Sequence, residues 1–260
     1  ASGAERLYRY IVDEGYDSVI CPHVFSALML TEVLKKYDCL FRSAFVSTDY
    51  TCSPGTLESR LDMYFVPDLS IMEGREEQAD MSKVFATGIP VRRSFYTSRL
   101  KAQAKRELGI PAESSHLLVM CGSMGCGPMR RLVELMADAL GEDQYMTVVC
   151  GTNHSLESWL DYKYSERRNI RIRGYTREIS SLMDSADLYL TKPGGISTSE
   201  ATVKALPMVL IDAVSGCEKH NLEYFVKKGS ALSAESPEEL SELCLSLIHI
   251  SEPTRHSLIS

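Results

Sequence analysis

The second half of the sequence alternates short apolar runs with helical stretches, and this alternation is the strongest constraint on the fold. We predict strands at residues 116–121, 145–150, 169–173, 187–190, 207–211 and 230–233. We predict helices at 127–140, 176–185, 196–205, 217–228 and 237–247. Strands that are separated by single helices are typical of βαβ units in a parallel sheet. The sequence therefore predicts a Rossmann-like α/β domain over about residues 114–250.

The first half of the sequence shows the same alternation over a shorter length. We predict strands at 17–21, 43–48 and 61–66, with helices near 24–37 and 69–79. Three strands are few for a Rossmann-like domain, so we interpret residues 1–88 as a partial domain whose beginning is absent. A charged helical pattern over 94–108 lies within residues 89–113, which we assign to an interdomain segment. Residues 251–260 carry no periodicity and contain Pro253, so we interpret them as a non-native tail without function.

Composition and charge narrow the class of protein. The chain has 260 residues, of which 44% are hydrophobic and 24% charged, as in soluble globular proteins. The net charge of −7 argues against nucleic acid as a partner. The eight cysteines form no CxxC pair, which favours a reduced cytosolic setting over a disulfide framework or a zinc site.

One basic run departs from this overall charge. Between residues 92 and 106 the sequence has six basic and no acidic residues: Arg92, Arg93, Arg99, Lys101, Lys105 and Arg106. A run of this kind is either a solvated helix face or a contact with anionic lipid head groups. In the second case each basic residue adds about 1 kcal/mol to membrane binding.

The loops that follow the strands of the second half are the places to look for a ligand, because open parallel sheets bind ligands outside the carboxyl ends of their strands. The first such loop is glycine-rich and contains Gly122, Ser123, Met124 and Gly125. Glycines let the backbone approach a phosphate, and a helix start offers free N–H groups. The loop is neither a GxGxxG nor a Walker pattern. A tight turn without a ligand therefore stays an alternative.

A second loop is the turn formed by Lys192–Gly195, which includes Gly194 and is followed by a predicted helix. We expect Ser197 or Thr198 to cap this helix, and its N–H groups suit a diphosphate. Glu200 follows about one turn later, where a carboxylate can accept two hydrogen bonds from the vicinal diol of a ribose. The alternatives are a capping box or an i,i+4 pair between Glu200 and Lys204.

Two further loops carry candidate ligand groups. Tyr175 follows the strand that ends at Arg173, and we expect a helix to begin at Tyr175 or Thr176, with backbone groups that can read a base edge. Glu218 and Asn221 lie at the start of a later predicted helix, where polar groups can meet sugar hydroxyls. The alternative for Glu218 is a favourable interaction with the dipole of its own helix.

These motifs resemble a known family. The segment "LTKPGGISTSEATVKALPMVLI", followed by "GCEKHN", resembles the donor-binding region of GT-B glycosyltransferases. The best match is the monogalactosyldiacylglycerol synthase and processive diacylglycerol glucosyltransferase family, related to the lipid II-forming N-acetylglucosaminyltransferase. "VICPHVFSA" and "FVSTDYTCSPG" resemble acceptor-domain segments, and "VFATGIPVRRSF" resembles the interdomain passage. The resemblance covers about residues 15–247 and implies two Rossmann-like domains, the N-terminal one incomplete.

The resemblance implies an inverting hexosyltransferase that moves a sugar from a UDP-sugar to a lipid hydroxyl such as that of diacylglycerol. It implies no cofactor and no bound metal, because helix N–H groups stabilise the leaving UDP. It also implies a cytoplasmic protein bound peripherally to the inner face of the cell membrane. The alternatives are a UDP-sugar-binding fragment without activity, a UDP-sugar 2-epimerase and a lipid II-type N-acetylglucosaminyltransferase.

The resemblance also implies roles for individual residues. Around the diphosphate it places Gly122, Ser123, Met124, Gly125, Gly195, Ser197 and Thr198. It places Tyr175 near the uracil, Glu200 on the ribose, and Glu218 and Asn221 beside the sugar. Cys217 stands where many relatives have Gln, and the family's N-terminal glycine-rich loop with its His has no counterpart in this chain.

Asp49 and His23 are the candidates for acid/base work on the acceptor side, because both follow predicted strands and can reach a cleft. Each has a structural alternative. Asp49 can cap the next turn, and a lone histidine is often a satisfied structural group.

Overall fold

The computed structural model describes residues 3–120, 129–211, 213 and 216–250, of which 249 and 250 are described by their backbone alone. The chain divides into two compact units, residues 1–90 and 91–260. Among the described residues, no helix is both long and apolar enough to cross a membrane.

The first unit is built on a parallel sheet in the order β1-β2-β3-β4. Its strands are β1 (Ser18–Cys21), β2 (Arg42–Val46), β3 (Met63–Val66) and β4 (Val84–Ala86). The prediction of three strands was therefore wrong by one, because β4 has only three residues and no alternating pattern of its own. The helices of this unit are α1 (Gly3–Asp13) and α2 (Val24–Lys36).

The predicted helix at 69–79 is replaced by short 3-10 helices at Leu69–Met72 and Glu76–Gln78, with a third at Met81–Lys83. Gly74 lies between the first two and has a φ of +73°, which a continuous helix does not allow. The chain therefore crosses from β3 to β4 through irregular segments, which pack on the sheet through Ile71 and Met72.

The second unit contains a six-stranded parallel sheet in the order β10-β9-β8-β5-β6-β7. Its strands are β5 (Ser115–Met120), β6 (Gln144–Val149), β7 (Ile170–Arg173), β8 (Leu188–Thr191), β9 (Met208–Ile211) and β10 (Ala231–Ala234). All six predicted strands are confirmed to within one residue at each end. β8 and β9 are buried throughout, which explains why their sequences read as continuous apolar runs.

The helices of the second unit differ from the prediction in three places. They are α3 (Lys101–Glu107), α4 (Met129–Ala139), α5 (His154–Lys163), α6 (Ile179–Ser185), α7 (Gly195–Val203), α8 (Cys217–Lys227) and α9 (Pro237–Ile250). Helix α5 was not predicted, and its buried side chains are only Leu156 and Leu160. The pattern predicted over 94–108 yields only α3, because Arg93–Phe95 forms a separate 3-10 turn that buries Phe95.

Helix α6 begins at Ile179, three residues after Thr176 and four after Tyr175. The predicted start at Tyr175 or Thr176 is wrong, since Thr176 lies in a turn where its Oγ1 accepts a hydrogen bond from the Glu178 N–H at 3.1 Å. This local bond competes with the helix and delays its start.

The basic run at 92–106 is largely paired within the second unit. Lys101 and Lys105 both reach Asp187 at 2.8 Å, and Arg99 reaches Glu107 at 2.5 Å. Lys105 is buried, so neither a solvated face nor a lipid contact describes it. The run is mainly a set of internal ion pairs, which the local sequence does not indicate because Asp187 is more than 80 residues away.

Candidate functional site

The second sheet has a topological switch point between β5 and β8. From β5 the chain continues to β6 and β7 on one side, and from β8 it continues to β9 and β10 on the other. Met120 and Thr191 are register partners at the carboxyl ends of these two central strands. The loop after β8 therefore leaves the sheet beside the carboxyl end of β5, at the place where doubly wound sheets bind ligands. Gly122, Ser123, Met124 and Gly125 lie outside the described residues.

The start of α7 forms one wall of this switch point. The helix begins at Gly195 with Gly194 as its N-cap residue, and within the described structure no side chain caps it. The expected capping by Ser197 or Thr198 is wrong, because both lie inside the first turn and donate to the Gly194 carbonyl at 3.1 and 2.9 Å. Among the residues that the structure describes, the first N–H groups of α7 thus have no side-chain partner, and they can bind an anion.

Glu200 lies on α7, one turn after Ser197, and its side chain is only 8% exposed. Burial raises its pKa, and the nearby Arg92 guanidinium opposes this shift. Arg92 Nη2 lies 3.5 Å from Glu200 Oε1, at the limit of a hydrogen bond. This is the carboxylate's only hydrogen-bond or ion-pair partner among the residues described. Glu200 is therefore a buried acceptor with unused capacity, as a site for a diol requires.

Both structural alternatives for Glu200 are wrong. Lys204 does not pair with it, because the Lys204 ammonium donates to Asp184 Oδ1 and to the Thr97 carbonyl, each at 2.7 Å. A capping box is excluded because it requires the glutamate three residues after the N-cap, and Glu200 is six residues after Gly194.

The loop before α7 is held in place by α8. Asn221 is fully buried and its Nδ2 donates to the Pro193 carbonyl at 2.9 Å. Lys192 Nζ lies 3.1 Å from the Glu218 carboxylate, which stays partly exposed. The predicted contacts of Glu218 and Asn221 with a sugar stay predictions. In this structure the Asn221 side chain fixes the turn before α7, whereas the Glu218 side chain is accessible to solvent.

Tyr175 lies in the turn after β7 and its side chain is exposed. Because β7, β6, β5 and β8 are consecutive neighbours, three strand spacings of about 4.8 Å place β7 roughly 14 Å from β8. Tyr175 is thus at the same edge of the sheet as the start of α7, but not in contact with it. Its place near a base stays a prediction.

Arg92 is a site residue that sequence reasoning assigned only to the basic run. Its guanidinium lies over the ring of Phe95 at 5.2 Å, and Phe95 is fully buried. Ser180 Oγ donates to the Ser94 carbonyl at 2.7 Å, which fixes the intervening backbone. The sequence carries no signal for this pairing, because Arg92 and Glu200 are 108 residues apart.

In the first unit, His23 and Asp49 follow two neighbouring strands. β1 and β2 are parallel partners, so both residues leave the sheet at the same edge. His23 caps α2, and its Nδ1 accepts a hydrogen bond from the Phe25 N–H at 3.2 Å. A neutral His23 with this bond carries its proton on Nε2 and offers a donor to a ligand. Asp49 is half-buried, and its backbone carbonyl accepts from Ser47 Oγ at 2.9 Å. The catalytic roles of both stay predictions.

Comparison with the sequence models of known families shows to which family the chain belongs. The sequence model of the glycosyltransferase family 28 C-terminal domain matches residues 116–253, which is more than half of the chain. The chain belongs to glycosyltransferase family 28. A second family model, that of monogalactosyldiacylglycerol (MGDG) synthase, matches residues 1–91 of this family 28 chain. The family resemblance inferred from the motifs is therefore confirmed.

Two curated relatives of the family 28 chain carry the same name. Processive diacylglycerol beta-glucosyltransferase of Bacillus subtilis (strain 168) is 29% identical over 251 residues, which cover 95% of this chain and 65% of that protein. The protein of the same name from Bacillus licheniformis is 30% identical over 249 residues, covering 95% of this chain and 64% of the relative. The chain thus spans just under two thirds of the length of these relatives.

Solved structures confirm the predicted α/β GT-B fold. MurG of Acinetobacter baumannii matches the family 28 chain with a TM-score of 0.59 at 13% identity, covering 92% of this chain and 67% of that one. A UDP complex of MnaA from S. aureus matches with a TM-score of 0.67 at 11% identity, covering 96% and 72%. At these identities the similarity shows the fold alone.

Proposed function

We propose that this chain is part of an inverting hexosyltransferase that moves a sugar from a UDP-sugar to a lipid hydroxyl such as that of diacylglycerol. The observation that carries the proposal concerns the described residues: a helix start without a side-chain cap and a buried, under-satisfied carboxylate lie on the same helix, α7. The names of the curated relatives support the lipid acceptor.

The donor side of the proposal uses the polar groups of α7 in two ways. The N–H groups at Gly195 and the following residues bind the diphosphate, and they stabilise the negative charge that develops on the leaving UDP. Glu200 accepts hydrogen bonds from the two ribose hydroxyls. We propose that these groups suffice without a metal or another cofactor.

The acceptor side of the proposal rests on the edge shared by β1 and β2. Asp49 is the candidate to take the proton of the attacking lipid hydroxyl. His23 offers its Nε2 hydrogen to an oxygen of the acceptor, because its Nδ1 already caps α2. We further propose that the protein works in the cytoplasm, bound to the inner face of the cell membrane, because that is where a lipid acceptor meets a soluble UDP-sugar.

The test is calorimetric titration with UDP and with 2′-deoxy-UDP, which lacks one ribose hydroxyl. The wild type should bind UDP more tightly than 2′-deoxy-UDP. Glu200→Gln should weaken UDP binding about tenfold, equivalent to about 1.4 kcal/mol, and remove the preference between the two ligands. Glu223→Gln, an exposed carboxylate on α8 paired with His220, is the matched control and should change neither.

A folded wild-type chain that binds no UDP would contradict the donor site. A Glu200→Gln variant that binds UDP and 2′-deoxy-UDP more weakly by the same factor would also contradict it, because the carboxylate would then not bind the ribose hydroxyls. Transfer is measured separately, with a radiolabelled UDP-hexose and diacylglycerol vesicles, so that binding and catalysis are read out independently.

A further inference from the structure

The first unit contains a cavity of about 320 Å³ beside β3 and β4. It lies between the loop that precedes β3 and the 3-10 segments that lead to β4. Its apolar lining consists of Leu57, Leu61, Val66, Met72, Ala79 and Val84. Most ligand pockets in proteins have a volume of this order and a mainly apolar wall.

This cavity is separate from the candidate catalytic residues. Its lining includes Asp62, which directly precedes β3, and Lys83, which directly precedes β4. His23 and Asp49 instead follow the carboxyl ends of β1 and β2, and neither lines the cavity. A ligand in this cavity is therefore separate from His23 and Asp49, the candidate catalytic residues of the proposed transfer.

The carboxylates around the cavity are already engaged. Asp62 Oδ2 accepts from the Ser43 N–H at 2.7 Å and from Ser43 Oγ at 2.8 Å. Asp80 Oδ1 accepts from Ser82 Oγ at 2.6 Å, and its other oxygen lies 4.0 Å from the Lys83 ammonium. Asp62 is thus held by hydrogen bonds from Ser43, and Asp80 by a hydrogen bond from Ser82 and an ion pair with Lys83.

Arg60 differs from these carboxylates. It lines the cavity and is exposed, and among the described residues its guanidinium has neither a carboxylate nor a carbonyl partner. An arginine with an uncommitted guanidinium in the wall of a mainly apolar cavity matches a ligand with an apolar body and a planar anionic head. Arginine binds carboxylates through two parallel hydrogen bonds.

We propose that this cavity binds a fatty acid, with the alkyl chain against the apolar lining and the carboxylate on Arg60. The volume of the cavity limits the length of the alkyl chain. An apolar cavity of about 150 Å³ takes the six carbons of benzene, so this cavity takes roughly twelve carbons by the same ratio. The ligand class is a straight-chain alkanoate such as dodecanoate.

The test is calorimetric titration of the whole chain with dodecanoate below its micellar concentration. Arg60→Gln should weaken binding about tenfold, because it removes the charged partner of the carboxylate but leaves the apolar lining intact. Arg75→Gln, an exposed arginine of the same unit that does not line the cavity, is the matched control and should leave the affinity unchanged. Ala79→Trp fills the cavity and should abolish binding.

The proposal is overturned if the folded wild type binds no dodecanoate, or if Arg60→Gln and Arg75→Gln weaken binding equally. Circular dichroism and UDP titration verify that each variant is folded. Because the UDP site is in the other unit, loss of dodecanoate binding with UDP binding retained overturns this inference alone. Loss of UDP binding with dodecanoate binding retained contradicts only the proposed function.

Discussion

The amino-terminal and carboxyl-terminal edges of the six-stranded sheet, at the two ends of its strands, differ in how completely their buried polar groups are hydrogen-bonded. At the amino-terminal edge, Asp187 accepts hydrogen bonds at 2.8 Å from Lys101, Lys105 and the His116 N–H. At the carboxyl-terminal edge, within the described part of the chain, α7 starts without a side-chain cap and Glu200 has a single long contact. A saturated network stabilises the fold, whereas unsaturated groups at a switch point are available to a ligand.

The same contrast appears in the titrating groups. Burial lowers the pKa of His116 to about 4, and its ring is held between Ser185 Oγ at 2.9 Å and Thr147 Oγ1 at 2.8 Å. Burial acts to raise the pKa of Asp187, but the hydrogen bonds from Lys101 and Lys105 keep it below its usual value. For Glu200 burial prevails and the pKa is raised. Changes at the first edge should therefore affect stability, and changes at the second edge should affect UDP binding.

The largest expected effect is that of Asp187→Asn. Removing this charge leaves the buried Lys105 ammonium with the Ser114 carbonyl but without its ion-pair partner, and breaking a buried ion pair typically costs about 3–5 kcal/mol of unfolding free energy. Urea denaturation measures the loss, and UDP affinity of the folded variant should stay unchanged. Asp161→Asn, an exposed acid on α5, is the control. A comparable loss of stability in both variants would remove the distinction between the edges.

His116 gives the second effect, which is a pH dependence. Its pKa is about 4 in the folded chain and near 6.5 when unfolded. Below pH 6.5 the unfolded state binds a proton that the folded state does not, so stability falls as the pH drops towards 4. The loss from this group approaches roughly 3 kcal/mol. His116→Gln should be less stable at pH 7 but should lose less stability in this window; a slope identical to that of the wild type contradicts the assignment.

Gly194→Asp tests the other edge. The new carboxylate can cap α7, and its Cβ meets only Ser197 Oγ at 3.5 Å, an ordinary contact. Stability should stay the same or rise by a few tenths of a kcal/mol. UDP affinity should fall at least a hundredfold, about 2.7 kcal/mol, because a fixed negative charge occupies the anion site. Gly194→Asn is the neutral control and should weaken UDP binding less than Gly194→Asp does. Unchanged UDP affinity in Gly194→Asp contradicts the proposed site.

The smallest expected effect is that of Arg92→Met. Without the guanidinium, the pKa of Glu200 rises further, so the carboxylate becomes protonated at a higher pH. UDP affinity should fall a fewfold near neutral pH, and its decline on acidification should begin at a higher pH than in the wild type. Glu200→Gln serves as the reference, since it retains only the titration of the phosphates. A decline that starts at the same pH in the Arg92→Met and wild-type chains would show that Arg92 does not act through Glu200.

The sequence predicts much of the second sheet because its central strands are buried on both faces. Leu188–Thr191 and Met208–Ile211 are continuous apolar runs bounded by turn residues, and both appear where expected. The start of α7 was placed within one residue, since Pro193 and the two glycines mark it. The sequence also supplied Glu200, through its spacing from that turn.

The contacts of these residues were not predictable in the same way. The pairing of Glu200 with Arg92 and of Lys204 with Asp184 depends on how separate elements pack, and local spacing instead favoured a Glu200–Lys204 pair. The helix α5 was missed because its apolar signal is short. The caps of α7 were wrong because the helix begins at Gly195 itself, which turns Ser197 and Thr198 into interior residues.

Helix α7 also constrains how related sequences can diverge. Glu200 and Lys204 are four residues apart and engage different neighbours, Arg92 in one case and Asp184 with Thr97 in the other. One inserted residue between them rotates Lys204 by about 100° around the helix axis and breaks both of its hydrogen bonds. Substitutions can accumulate on the outer face of this helix, but its length between the glycine turn and Lys204 is fixed.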